Sequence, residues 1–324
     1  MLIKKVQDRL LQLTNTIARP KILLGLSGGA DSVFLFRALA PLHEMKLISL
    51  DSIHINHGWR DTADNDMRFC AQLVTFQHRL SLILEETKSW ADKLPAQKKN
   101  SGSKEADARE IRRFIFEHYR HAWNYDVIAL AHHADDQIET FFIRLIRGSG
   151  LTGLCAMQEK QDHLVRPLLT ISKAEILTWL KENNQEFCHD ETNDSMAFLR
   201  NRIRAKLTPA LAACDERATQ SLLRTIAHLQ QEETLLTYVC AQTIDALKDE
   251  NEWYKIKEFF ECAPALRVRI LTTLLIKALA PFTPSESLFA EIERFLASPN
   301  GGSHEVAPSV TIHKKKRSFY LQSA

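Results

Sequence analysis

The chain has 324 residues, enough for one large domain and a smaller one. Its 45% hydrophobic and 25% charged residues are ordinary for a soluble globular protein, and no low-complexity tract interrupts them. A formal net charge of +2 does not announce a nucleic-acid binder, so any basic surface must be local.

Residues 1–19 carry Leu2, Val6, Leu10, Leu13 and Ile17 at helical spacing, and Pro20 should stop that helix. The start lacks an apolar core long enough for a signal peptide, and no run approaches a membrane span. Next, Ile22, Leu23, Leu24 and Leu26 read as a short buried strand, broken by Ser27, Gly28 and Gly29. From Ser32 onward the apolar spacing is helical again. A strand, a glycine turn and a helix together offer backbone N–H groups and a positive helix end to an anion. Gly28 and Gly29 allow close approach of a phosphate, Ser27 and Ser32 add hydroxyls, and Ala30 completes the turn. Asp31 is the unusual member: a carboxylate beside bound phosphates needs a cation between them, most simply Mg²⁺. The loop lacks the lysine of a G-x-x-x-x-G-K-[ST] motif and is not G-x-G-x-x-G.

A second strand is expected within residues 47–56, ending in a turn at residues 57–60, then a helix over 64–78 and a strand over 80–85. Strands alternating with helices predict a parallel, doubly wound sheet, with ligands at the carboxyl ends of its strands. Residues 98–104 are polar and basic and read as a loop, either a solvated connection or a flap over the site. A helix over 103–121 holds Glu105, Arg109, Arg112 and Arg113. Glu105 and Arg109 could pair across one turn, or Arg109 could neutralise phosphate charge.

A strand over 127–131 runs into His132, His133, Asp135, Asp136 and Glu139, followed by a helix over 141–146. This polar junction could be a metal cage, or a helix start capped by Asp135 with Glu139 in its first turn. Asp136 and Glu139 share one helix face and could hold Mg²⁺ or a cationic substrate amine. A fifth strand is expected over 163–168, and Ser172 should cap the helix over 174–182. An acidic loop over 188–194 leads to Arg200, Arg202, Arg204 and Lys206, dense basic residues with few acids nearby in sequence. They suit phosphate contacts or a plain solvated linker helix. From about residue 209 the pattern is mostly helical (215–248, 263–280 and 284–297), with β-like pieces at 306–312 and 318–322 and a basic hairpin tip at 314–317. The six cysteines form no C-x-x-C pair, and reduced thiols of a cytoplasmic protein are expected.

The string Ser27-Gly-Gly-Ala-Asp-Ser32 resembles the SGGxDS loop of the PP-loop ATP pyrophosphatases, which split ATP between its α and β phosphates. Further strings narrow the resemblance over residues 20–210: His57-Gly58 with Arg60, Glu105 with Ala108-Arg109, residues 132–140, Arg147-Gly-Ser-Gly150, Arg166-Pro-Leu, Asp190 with Asn193, and Arg200-Asn201 with Arg204. Together they are similar to the tRNA(Ile)-lysidine synthetases, in their short form. Asn56 and Ala131 depart from the aspartate and glycine common there.

That resemblance implies an α/β PP-loop domain of the adenine nucleotide alpha-hydrolase type over residues 1–210. A smaller, mostly helical tRNA-binding domain would occupy 211–324. It implies ATP-dependent ligation of free L-lysine to C2 of the wobble cytidine in a CAU anticodon, through an adenylated cytidine. Residues 27–32 would cradle pyrophosphate. Asp31 and Asp136 would hold Mg²⁺, Arg109 would stabilise the α-phosphate, and His132 would touch the adenylated base or phosphate. Asp136 and Glu139 are candidates for Mg²⁺ or the lysine amines, with Asp190 a weaker acid candidate. Arg200, Arg202 and Arg204 would contact tRNA. A homodimer through the helical part is compatible with the sequence, though no heptad seam marks it. The missing C-x-x-C pairs count against a thiolase of the same superfamily.

Overall fold

A computed structural model describes residues 1–56, 58, 63–91, 93, 104–188, 198–278, 285–308 and 310–323. Expectations for residues 57, 59 and 60, for the loop over 98–103, for the Glu105 side chain, and for Asp190 and Asn193 lie outside the described residues. The chain divides into two compact units, Met1–Gln230 and Gln231–Ala324.

In the first unit the elements run α1 (Leu2–Leu13), β1 (Lys21–Gly25), α2 (Ala30–Glu44), β2 (Ser49–Asn56), α3 (Ala63–Ala71), β3 (Ser81–Glu86), α4 (Lys88–Ala91), α5 (Lys104–Ala122) and β4 (Val127–Ala129). They continue with α6 (Ala134–Ile146), α7 (Leu151–Leu154), β5 (Lys160–Gln161), β6 (Leu164–Val165), α8 (Lys173–Glu182), α9 (Leu199–Arg202), α10 (Thr208–Cys214) and the start of α11 (Ala218–Leu247). One six-stranded sheet has the order β3-β2-β1-β4-β6-β5. All its neighbours are parallel except the edge pair β5 and β6.

Both faces of the sheet are covered, which is why its central strands read as unbroken apolar runs rather than alternating ones. On β1, Ile22 and Leu24 join one core with Val6, Leu10, Phe34 and Leu180. Leu23, between them, joins the other with Ile53, Ile115, Phe116 and Ile128. On β4, Val127 and Ala129 face the first core and Ile128 the second. Chain order runs from β1 outward to β2 and β3, then returns to β4 on the other side of β1. The crevice outside the carboxyl ends of β1 and β4 is therefore the switch point where open α/β sheets bind ligands.

Some boundaries differ from expectation. α1 stops at Leu13, six residues short, with Thr14 as its cap: its backbone N–H and its hydroxyl both donate to the Leu10 carbonyl, at 3.1 and 3.0 Å. α6 begins at Ala134, so the polar stretch after His133 is its first turns, drawn in by burial of Ala134, Ile138 and Phe141. β6 is only two residues long, since Pro167 has no N–H to extend the ladder. Ser172 caps α8 as expected, accepting the Glu175 N–H at 3.2 Å.

Behind the β1 turn, His54 is buried, with Nδ1 3.0 Å from the Leu26 carbonyl and 3.4 Å from Cys70 Sγ. Burial lowers its pKa below the ordinary 6.5, and the Leu26 carbonyl and Asp66 only partly offset this. Between the two values the unfolded chain binds more protons than the folded one. This contribution to stability is therefore complete above about pH 6.5 and lost as the pH falls toward the folded-state pKa. Replacing His54 by asparagine should narrow the gap between urea midpoints measured at pH 7 and pH 5.5; an unchanged gap would assign the acid sensitivity to other groups.

The second unit holds the rest of α11, then β7 (Tyr254–Lys255), α12 (Ile256–Glu261), α13 (Pro264–Lys277), α14 (Glu286–Ala297), β8 (Gly302–Ala307), β9 (Val310–Lys315) and β10 (Ser318–Ser323). Its antiparallel sheet has the order β7-β10-β9-β8. Phe259, Ile270, Leu275, Ile292, Ile312 and Phe319 form its core. The basic tip expected at 314–317 is smaller than the sequence suggests. Lys314 points inward on β9 and donates to the Leu296 carbonyl at 2.7 Å, satisfying the end of α14. No described helix is long and apolar enough to cross a membrane.

Candidate active site

The turn after β1 is already shaped. Ser27 Oγ and Ser32 Oγ lie 3.0 Å apart, Ser32 Oγ donates to the Gly29 carbonyl at 2.9 Å, and Gly29 N–H donates to Ser27 Oγ at 3.3 Å. Gly28 sits at φ +88°, where a side chain is strained. A β-carbon there would also lie 3.3 Å from the sulfurs of both Cys70 and Cys188. Ala30 opens α2 and is buried, so the helix N-terminus faces the turn. These features fit a phosphate group: donors and a helix end converge where no Cβ intrudes.

Asp31, in the first turn of α2, accepts Lys173 Nζ from α8 at 2.7 Å and lies 3.6 Å from His133 Nε2. The same His133 nitrogen is 3.5 Å from Asp136. His133 thus stands between the two acids expected to hold metal. Burial pulls its pKa down, but Asp135, Asp136 and Asp31 outweigh that and hold it above the ordinary value. Asp135 does not cap α6 as the sequence suggested. Its carboxylate accepts the backbone N–H of Lys173 at 2.8 Å and fixes the start of α8 instead.

On the next turn of α6, Glu139 is 1% exposed and accepts Arg200 Nε and Arg204 Nε, each at 2.6 Å. Arg200 Nη2 also reaches Asp136 at 3.3 Å. Burial pushes the Asp136 pKa up, yet His133, Arg200 and His132 hold it below the ordinary carboxylate value. Arg200 and Arg204 are thus not the acid-poor pair that the local sequence suggested, because α6 supplies the acids from 61 and 65 residues away. Arg202 is exposed, and after it the helix widens to a π-turn over Ile203–Leu207, a distortion frequent at functional sites.

His132 is held neutral. Burial lowers its pKa, Asp136 opposes this, and Arg166, Arg200 and Arg109 add to it, leaving a value of about 4. Arg109 is exposed on α5, close enough for its charge to act on His132 and Arg144. Arg166, just beyond β6, is buried, and burial alone lowers its pKa. Among the described residues no three of His, Cys, Asp and Glu converge as a metal cage, and these acids are engaged by Lys173, His133, Arg200 and Arg204. Asp31 and Asp136 remain a pair of carboxylates flanking one histidine, a donor set compatible with Mg²⁺ that takes its other ligands from phosphate and water.

The structure therefore brings together the loop, Asp31, His132, Asp136, Glu139, Arg200 and Arg204. It adds His133, Lys173 and Asp135, to which sequence reasoning assigned no such part. Lys173 lies 142 residues from Asp31, and its only local signal is its place in the first turn of a capped helix.

Comparison with known proteins agrees with this geometry. A tRNA(Ile)-lysidine synthase of Bacteroides thetaiotaomicron is 35% identical over 243 residues, covering 71% of this chain and 55% of that one. The same-named protein of Geobacter sulfurreducens is 37% identical over 230 residues, covering 69% and 47%. The chain spans about half the length of these curated relatives. The solved U34-tRNA thiolase NcsA of Methanococcus maripaludis, with its 4Fe-4S cluster, superposes at a TM-score of 0.58 with 18% identity, over 71% of this chain and 80% of that one, and so shares the fold. The model of the PP-loop domain family matches residues 2–211, and with the preformed turn after β1 it settles the assignment: the chain belongs to the PP-loop family.

Proposed function

We propose that this protein is an ATP-dependent tRNA(Ile)-lysidine synthase acting in the cytoplasm. The observation that carries the reading is the abutment of two sites at one switch point. His133 Nε2 lies 3.6 Å from Asp31 of the loop and 3.5 Å from Asp136 of the acidic cluster. A nucleotide in the turn would have its α-phosphate beside groups suited to a second, cationic substrate. The names of the relatives, PP-loop membership and the resemblance of residues 132–150 support lysine and tRNA as the partners.

In this proposal, residues 27–32 would hold the pyrophosphate of ATP and Asp31 would hold Mg²⁺, which would offset phosphate charge, leaving Asp136 to the amine. Oxygen O2 of the wobble cytidine attacks the α-phosphorus and pyrophosphate leaves. The lysine side-chain amine then attacks C2 and AMP leaves. Phosphoryl transfer of this kind depends on positioning and charge neutralisation. Arg109 contributes charge on the phosphate side. His132, neutral at pH 7, accepts or donates a hydrogen bond at the base or phosphate without adding charge. Asp136 and Glu139 receive the lysine ammonium groups and one takes the proton that the attacking amine must lose. The helical region over 211–324, together with Arg200, Arg202 and Arg204, contacts the tRNA. A homodimer would form through that region.

Incubation with ATP, Mg²⁺, radiolabelled lysine and unmodified tRNA(Ile) should put label into RNA, with one AMP formed per lysine. AMP formation without label in RNA would point to another PP-loop reaction and overturn the proposal.

A further inference from the structure

One charged side chain of the first unit lacks the counter-charge its burial demands. Arg166 is 7% exposed. One of its terminal nitrogens donates to the Gln158 carbonyl at 2.8 Å, but its Nε has no hydrogen-bond partner. None of the ion pairs among the described residues involves it, and no acid offsets the effect of burial on it. A buried, unpaired guanidinium is among the costliest groups a fold can carry. Arg200 and Arg204, by contrast, are each paired to Glu139.

A second orphan stands nearby. His132 Nδ1 is also buried without a partner, and the charge of Arg166 acts on that ring. Two buried, unsatisfied polar atoms on groups that interact suit a polar ligand. Arg166 follows β6, two strands from β1, or about 10 Å at the usual strand spacing. That separates it from the phosphate turn and puts it on the side of Asp136 and Glu139.

We propose that Arg166 binds the α-carboxylate of the amino-acid substrate. The inference rests on the lysine-ligating function proposed above. Free lysine carries two ammonium groups and one carboxylate. Asp136 and Glu139 suit the first two, and a guanidinium without a counter-charge suits the third by charge-assisted hydrogen bonds. The same contact explains how the site would tell an amino acid from a simple diamine.

Lysine, lysine amide and 1,5-diaminopentane are compared as substrates of the wild-type protein and of Arg166→Gln and Arg166→Lys, with folding followed by circular dichroism. The wild type should prefer lysine over both analogues by about 10- to 100-fold in kcat/KM, the loss expected for one charged hydrogen-bonded contact. Arg166→Gln should raise the KM for lysine by a similar factor and bring the preference close to one, with Arg166→Lys intermediate. A wild type indifferent to the carboxylate overturns the inference whether or not the variants fold. So does an Arg166→Gln protein that keeps the full preference, or one whose KM rises for ATP and not for lysine, which would make the bound anion a phosphate. A wild type that incorporates no lysine at all overturns the functional proposal and this inference with it.

Discussion

Substituting Asp31 by asparagine should lower tRNA-dependent AMP formation by about a thousandfold while leaving the fold in place. The buried His133 keeps Asp135 and Asp136 beside it, and the pair of Asp31 with Lys173 is part-exposed, with side chains 28% and 35% accessible. Pairs of that exposure contribute about 1 kcal/mol or less, too little to unfold a domain. The catalytic cost is larger. Asp31 is the one carboxylate in the first turn of the helix that faces the phosphate turn, so without it a cation bridging to phosphate loses a ligand at the site of charge development. Loss of one preorganised electrostatic group of this kind costs about 10²- to 10³-fold. Asparagine also leaves Lys173 and His133 without that charge. The measurement is kcat/KM for AMP release across a Mg²⁺ titration, with circular dichroism as the folding check. A folded variant within tenfold of wild type at every Mg²⁺ concentration would remove Asp31 from the chemistry.

What sequence could and could not say follows from the range of each interaction. β1 and β4 were legible because strands buried on both faces are apolar at every position. The turn between β1 and α2 was legible because its glycine and hydroxyls act through the backbone of neighbouring residues. Ser172 was legible as a cap for the same reason. The partners of the charged residues were not. Asp31 meets Lys173 from another helix, and Glu139 gathers two arginines from a segment after the sheet is complete. Lys314 looked like part of a basic turn until strand alternation put it inside. His132 and His133 differ by one position. The backbone sends one toward Arg166 and Arg200 and the other between three carboxylates, with opposite pKa shifts. Composition carries no information about that divergence.

Glu139 is the group whose removal should cost most in stability. Its side chain is 2% accessible, while Arg200 is 22% and Arg204 43% accessible. Changing Glu139 to glutamine keeps the volume and deletes the charge, leaving two guanidiniums facing a neutral amide in a largely dry site. Breaking a buried pair from one side costs about 3–5 kcal/mol. The exposure of Arg204 places the expected cost at the lower end, about 3 kcal/mol. A double-mutant cycle separates the two arginines. Glu139→Gln with Arg200→Met should show the stronger coupling, and with Arg204→Met a coupling below about 1 kcal/mol, since water screens that guanidinium. Because the chain has two units, global unfolding does not isolate this cluster. The suitable readout is hydrogen exchange of the amides of α6, which reports opening of that helix alone. Equal coupling to both arginines would mean that burial does not govern this cluster. The same variant should raise the KM for lysine. A substrate ammonium must share Glu139 with Arg200 and Arg204, and a neutral amide offers it no charge. If slower lysine transfer appears without faster exchange in α6, Glu139 serves the substrate more than the fold. If exchange quickens while the KM for lysine stays fixed, the ion cluster is structural and the ammonium site lies at Asp136.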